Sequence, residues 1–436
     1  MAVPLVGVHL ALLLTWDLAS RPALTVALLV SGVVYLAWAA FRLERLPPIA
    51  PVAVVLVAAL LRSLLVPIPP TLSDDVLRYV WDGRVLAAGF DPYRLPPTAP
   101  ELEPLRDALW ERLPHRGVAT VYPPLALAAF SIASRSPAPV ATLKALNALA
   151  DTVACAILVW LAARRELPSV RTLWYAWNPL VALEVAGMGH VEGLGVVACV
   201  AVVALLADHP PRRVSAALAA AAAVLVKLVP FVVLPAWARA SRRPLLFAGL
   251  TVLLVVLATA PFLIAGGVPS GLVTFGVSWE FNGPFWEPLW RGIDRVDLPR
   301  AIERVLDGLK ERTGHHEVWN SLYPFNYPQL LAKVLLVPPL LVGLFLAWRG
   351  SDPIAATGAA FGALLLCSAT VYPWYLLWVL PWAALARQPA WLALSATLPL
   401  AYLPDLTGVP LVPWVFLAVW APFFWTLHRW PRWSTD

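Results

Sequence analysis

Apolar runs near the length needed to cross a hydrocarbon core recur from one end of the chain to the other, separated by short polar or basic words. They predict spans near 3–19, 22–41, 48–66, 138–163, 170–187, 191–207, 245–264, 328–348, 353–370, 374–386, 390–403 and 411–428. Between 214 and 238 the run is interrupted by Lys227, Pro230 and Pro235, which predicts two half-helices meeting at Lys227. The segment "VYPPLALAAFSIASR" (121–135) is short for a crossing and reads as a helix along the membrane interface. The pattern therefore predicts an all-α integral membrane protein with roughly 12 to 14 transmembrane helices. No internal repeat is evident, which counts against the repeated architecture of many transporters.

Composition agrees with that pattern. Of 436 residues, 60% are hydrophobic and 13% charged, and the mean hydropathy of +0.74 lies far from that of soluble domains. No stretch reads as a separate soluble unit, so residues 1–436 are expected to form one integral membrane domain. The opening run "MAVPLVGVHLALLLTW" lacks a basic leading region and a small-residue cleavage site, and is expected to be a retained helix. The net charge of +6 is spread over short words: "FRLER" (41–45), "ARRE" (163–166), "PRR" (211–213), "RASRR" (239–243), "WRG" (348–350) and "HRWPRW" (428–433). Short Lys- and Arg-bearing loops stay on the cytoplasmic side. This places both termini in the cytoplasm of a multi-pass cell-membrane protein and leaves 67–137 and 265–327 external. Membrane lipid is the expected environment, and nucleic acid is not an expected partner. Cys155, Cys199 and Cys367 sit singly in apolar runs and are expected to be small packing residues, with no metal site.

The first external segment departs sharply from its greasy surroundings. Residues 73–116 hold 14 of the chain's 58 charged residues, about a quarter of the charge in a tenth of the length. Ser73 is placed to cap a helix, with Asp74 and Asp75 in its first turn, where the helix dipole favours carboxylates. Helical spacing puts Asp74, Arg78 and Asp82 on one face, with Val76, Leu77, Val80 and Trp81 on another. On spacing alone this is an interfacial helix with a salt-bridged polar face.

The stretch "SDDVLRYVWDGRVLAAGFDPY" (73–93) resembles the first-external-loop signature of membrane glycosyltransferases with the GT-C fold, in particular GT87-like polyprenyl-phosphate-dependent mannosyltransferases. The words "VYPPLA" (121–126), "WNPL" (177–180), "GHVEGL" (189–194), "VKLVPFVVLP" (226–235), "FNGPFW" (281–286) and "VYPWYLLWVLP" (371–381) follow in that family's order. The resemblance implies a GT-C-like bundle with a helical first external loop. It also implies transfer of one sugar, with mannose the expected one, from a polyprenyl-phosphate-linked donor to an external glycan or glycolipid acceptor, as in cell-envelope biosynthesis. Asp75 holds the place of the family's acidic base. The related D-E-x-R-Y pattern aligns Arg78 and Tyr79, but Val76 stands where an acid is expected, so Asp74 shares the candidacy.

The chemistry asks for a base to accept the acceptor's hydroxyl proton and for cations to stabilise the departing phosphate. With one phosphate in the leaving group, protein cations suffice; no metal or other cofactor is expected. Arg62, Arg78 and Lys227 are the candidate phosphate ligands, since ionisable groups in or beside spans are functional candidates. For Lys227, pairing with a buried acid is the alternative. Tyr79, Trp81, His190, Glu192, Asn282 and Trp286 are candidate sugar or acceptor contacts, with Trp279 and Trp290 as further stacking surfaces. Tyr372, Trp374 and Tyr375 are expected to line a lipid groove. The competing function is a polytopic transporter or lipid-linked sugar flippase. It would place its charges near mid-bilayer, where this chain has few.

Overall fold

In the computed structural model, residues 2–43, 49–208, 210–266 and 270–429 are described. The basic words at 44–45 and 430–433 fall outside them. The chain is all-α: among the described residues there are no named strands, only isolated bridges from Phe281 and Asn282 to Thr370. Among the described residues five helices are long and apolar enough to cross a membrane: Pro22–Ala39, Pro139–Arg164, Pro244–Ile264, Pro328–Arg349 and Leu411–Arg429. Eight shorter apolar helices pack among them. Much of the chain's proline, 44 residues, serves as punctuation: Pro51, Pro124, Pro139, Pro179, Pro353 and Pro389 each stand in the first turn of a helix, where the missing N–H costs nothing.

Helix α1 (Ala2–Thr15) packs against both α2 (Pro22–Leu43) and α3 (Pro51–Leu65), and α3 leads to α4 (Asp75–Ala87). The continuous spans expected at 170–187 and 374–386 are broken. The first is divided into Ser169–Thr172, Leu173–Ala176, Pro179–Ala182 and a π-turn, Leu183–Met188. The Asn178 side chain accepts from Leu180 N (3.0 Å) to start the helix that Pro179 opens. Such irregular backbone is tolerated at membrane depth only inside protein, and residues 172–193 are buried throughout. The break expected at Lys227 is present: the Arg213–Val226 helix ends there in extended backbone, and Val229–Val233 and Leu234–Ala240 continue beyond it.

The structure corrects the reading of α4 as a solvated interfacial helix. Arg78, Tyr79, Trp81 and Asp82 are all buried, and α4 lies against the Pro124–Ser134 helix. The reason is Gly83: a Cβ there would come within 2.3 Å of the Phe130 carbonyl, so only hydrogen allows the two backbones to meet. Ser73 Oγ accepts from Asp75 N at 3.4 Å while Asp74 occupies the cap position itself, one residue later than expected. Gly83→Ala is expected to lower stability by about 1–3 kcal/mol through overpacking, read as an earlier thermal midpoint of the detergent-solubilised protein.

Arg62, expected at the donor phosphate, is instead part of the bundle's interior. Its Nε donates to Asp151 at 2.7 Å, its Nη1 donates to the carbonyls of Ala58 (3.0 Å) and Ala176 (2.8 Å), and Tyr175 donates to the same carboxylate. Only 1% of the residue is exposed. Asp151, 89 positions away in sequence, makes Arg62 a buried, satisfied ion pair joining α3 to the Pro139–Arg164 helix.

Candidate active site

At the N-terminal end of α4 a cavity of about 450 Å³ opens, bordered by Asp74, Asp75, Arg78, Lys227, Trp279 and the segment Tyr372–Tyr375. Each wall has a local cause. Asp74 and Asp75 stand where α4 begins, and Lys227 stands where the Arg213–Val226 helix stops. The aromatic wall comes from a 3₁₀ turn, Pro373–Trp378.

Asp75 is the most strongly placed acid. One third of its side chain is exposed. Partial desolvation, opposed by Lys227 and reinforced by Glu192 and Asp74, pushes its pKa up to about 6. Asp74 beside it is exposed, and its pKa is raised by partial desolvation.

Behind Asp75 lies a fully buried layer. His190 Nδ1 is 3.7 Å from Asp75 Oδ2 and 3.5 Å from the Tyr79 hydroxyl. His190 Nε2 is 3.5 Å from Glu184 Oε2, and Tyr402 donates to the other Glu184 oxygen at 2.7 Å. Gly189, with φ at +80°, makes the turn that points His190 back at α4. The imidazole stacks on Trp374 at 3.9 Å, Trp374 on Tyr372 at 4.6 Å, and Tyr372 on Phe281 at 4.6 Å. A continuous column of rings thus runs from the cavity wall to the acid cluster.

The cations divide by what already holds them. Arg78 donates to Asp82 (2.7 Å) and to the carbonyls of His115 (3.1 Å) and Val118 (2.6 Å). It pins the 114–118 loop to α4 while bordering the cavity. Lys227 donates to the buried Glu192, and its Nζ lies 4.9 Å above the Tyr375 ring.

Residues 3–243 match the MptA_B family, described as alpha-(1->6)-mannopyranosyltransferase, N-terminal domain. The chain belongs to that family. No curated protein and no solved structure matches it. The MptA_B match makes the chain a membrane glycosyltransferase of mannosyl-transfer type, in keeping with the GT-C resemblance, and leaves the GT87-like branch aside. Asp74, Asp75, Arg78, Glu184, His190, Glu192 and Lys227 fall inside the MptA_B region; the aromatic wall falls beyond it.

Several sequence candidates are not brought to this cavity. Trp81 is fully buried in the core between α4 and the 99–133 segment. Trp286 donates to Gln329 O (3.0 Å) inside a separate small core, beside Trp290. Asn282, buried with φ at +57°, accepts from Trp420 (2.9 Å) and ties the 279–283 turn to the 368–371 segment. Tyr79 and Glu192 stand behind the wall as supports. Conversely, sequence reasoning missed Glu184 and Tyr402, which meet behind His190, and Tyr122 and Asp405, which border the cavity. Glu184 carried a signal, since a lone acid in the apolar word "ALEVAG" must find a partner. The others look like ordinary interfacial residues until the fold gathers them.

Proposed function

We propose that the protein, as one integral unit, transfers mannose from a polyprenyl-phosphate carrier to an external glycan or glycolipid acceptor, with Asp75 as the base. The observation that carries this reading is a raised, part-exposed carboxylate and a lysine bordering one cavity beside an aromatic wall. The acceptor oxygen attacks C1 as the C1–O bond to phosphate breaks. The bonding pair leaves with the phosphate oxygen, and the hydroxyl proton passes to Asp75. Attack opposite the leaving group inverts the anomeric carbon. Lys227 offsets the charge growing on the phosphate, and Tyr372, Trp374 and Tyr375 offer faces to the sugar and first prenyl units. His190 and Glu184 fix the orientation of Asp75 from behind. The arginine-bearing turns 163–166, 211–213 and 239–243 gather at the far end of the bundle, and the tendency of such turns to stay in the cytoplasm supports an external cavity.

The direct test incubates the purified protein with synthetic polyprenyl-phosphate mannose and an acceptor, and detects free polyprenyl phosphate by mass spectrometry. Acceptor-dependent release supports the reading. Release from a nucleotide sugar in its place overturns the donor class.

The base is active only when ionised. With the Asp75 pKa near 6, kcat/KM is expected to rise as pH increases through about 6 and to level off above it. A profile flat from pH 5 to 7 removes Asp75 from the role.

A further inference from the structure

The far end of the bundle holds a second cavity, of about 650 Å³. The Glu192–Ala207 and Arg213–Val226 helices run from one cavity to the other: Glu192 and Lys227 stand at the site, Ala207 and Arg212 at the far end. Their lengths, about 24 and 21 Å, set the two cavities most of a hydrocarbon thickness apart. Four arginines reach the second cavity from separate connections: Arg164 and Arg165 at the end of the Pro139–Arg164 helix, Arg239 and Arg242 at the end of Leu234–Ala240.

The fold's own acids do not balance these charges. Asp208 faces both Arg164 (3.7 Å) and Arg212 (2.8 Å). Asp352 faces Arg165 (3.2 Å) and is already committed to the backbone N–H groups of Ile354 and Ala355. Arg239 donates to a neutral acceptor, Trp348 O, at 2.8 Å. Among the described residues no carboxylate lies within ion-pair distance of Arg239 or Arg242. Arg242 also holds φ at +60°, an unfavourable conformation for a long side chain. Such outliers persist where surrounding structure over-determines them. Here Ser241 is the anchor: it is fully buried, its hydroxyl donates to Ala238 O (2.6 Å), and its carbonyl accepts from Arg213 (2.7 Å).

We propose that this cavity binds a phosphate-class anion, and that the anion is the headgroup of an acidic phospholipid in the leaflet opposite the active site. Planar guanidinium forks match phosphate oxygens in pairs, and basic pockets between membrane helices on the cytoplasmic side are suited to acidic headgroups. The lining supplies the apolar half of the ligand's needs. Leu206, Pro211, Ala236 and Ala356 border the cavity, and Leu245, two residues beyond Arg243, is an exposed apolar side chain (89%). The proposal rests on the charge and shape of this end alone and is independent of which residue is the base.

Native mass spectrometry of the full-length protein in neutral detergent, titrated with phosphatidylglycerol, phosphatidylcholine or inorganic phosphate, tests it. Phosphatidylglycerol is expected to be retained in preference to phosphatidylcholine. The double variant Arg239→Gln, Arg242→Gln is expected to weaken that retention about thirtyfold, whereas Arg300→Gln with Arg304→Gln, on an exposed helix elsewhere, leaves it unchanged. Arg239→Lys with Arg242→Lys keeps the charge and should retain more lipid than the Gln pair, which separates anion binding from a folding defect. Equal retention of the two lipids, or an unchanged affinity in the Gln pair, overturns the proposal. Arginine-dependent binding of inorganic phosphate without lipid retention overturns the lipid source.

Discussion

Asp75→Asn is expected to lower turnover by about 10²- to 10⁴-fold, the reach of a positioned proton acceptor. Asn keeps the size and one acceptor oxygen, so the α4 start and its packing survive. Ionised Asp75 is partly desolvated, with its pKa held near 6. The sign follows: a carboxylate whose folded pKa exceeds its unfolded value favours the fold when protonated and disfavours it as pH rises through that pKa. The neutral amide is therefore expected to fold at least as well at pH 7 to 8, and donor binding should persist. Asp74→Asn is the matched control. Asp74 is exposed at the cap position and makes no side-chain cap hydrogen bond, so its loss should be much the smaller. If the order reverses, the base is Asp74. If both variants keep near-full activity, the proton leaves by another route and the proposed mechanism fails.

How far the site could be read in advance depends on distance along the chain. Helices announced by apolar runs and first-turn prolines were legible, as was the break at Lys227, because the signals are local. The words carrying Asp75, Lys227 and the Tyr372–Tyr375 wall were legible for the same reason, and the fold brings them to one cavity. What could not be read was the partner. Nothing near Arg62 points to Asp151, so a buried ion pair looked like a phosphate ligand. Nothing in the charged face of α4 announces that Gly83 lets the Pro124–Ser134 helix cover it. Trp81 and Trp286 fail as sugar platforms because an indole suits a core as well as a cavity, and only the tertiary packing chooses. Glu184 and Tyr402, 218 positions apart, meet behind His190 only once the helices are assembled.

Lys227 separates binding from scaffolding most sharply, because its partner is known. Removing the ammonium alone, as in Lys227→Met, leaves Glu192 buried without its countercharge, and breaking a buried pair in that way costs about 3–5 kcal/mol. That single variant is therefore expected to be poorly stable as well as inactive, and its inactivity alone decides nothing. Lys227→Met combined with Glu192→Gln removes both charges. Neutralising the pair should recover most of the lost stability, since the Gln amide can be hydrogen-bonded where an unpaired carboxylate cannot be accommodated. If Lys227 serves the donor phosphate, the folded double variant should still bind a polyprenyl-phosphate analogue about 10- to 100-fold more weakly than the parent, the value of one charge-assisted hydrogen bond. Thermal midpoint and analogue affinity, measured on both variants, give the answer directly. A double variant that is stable and binds the analogue as tightly as the parent makes Lys227 purely structural. In that case Arg78, the other cation bordering the cavity among the described residues and already bonded to Asp82 and two carbonyls, would have to turn away from those partners to meet the phosphate.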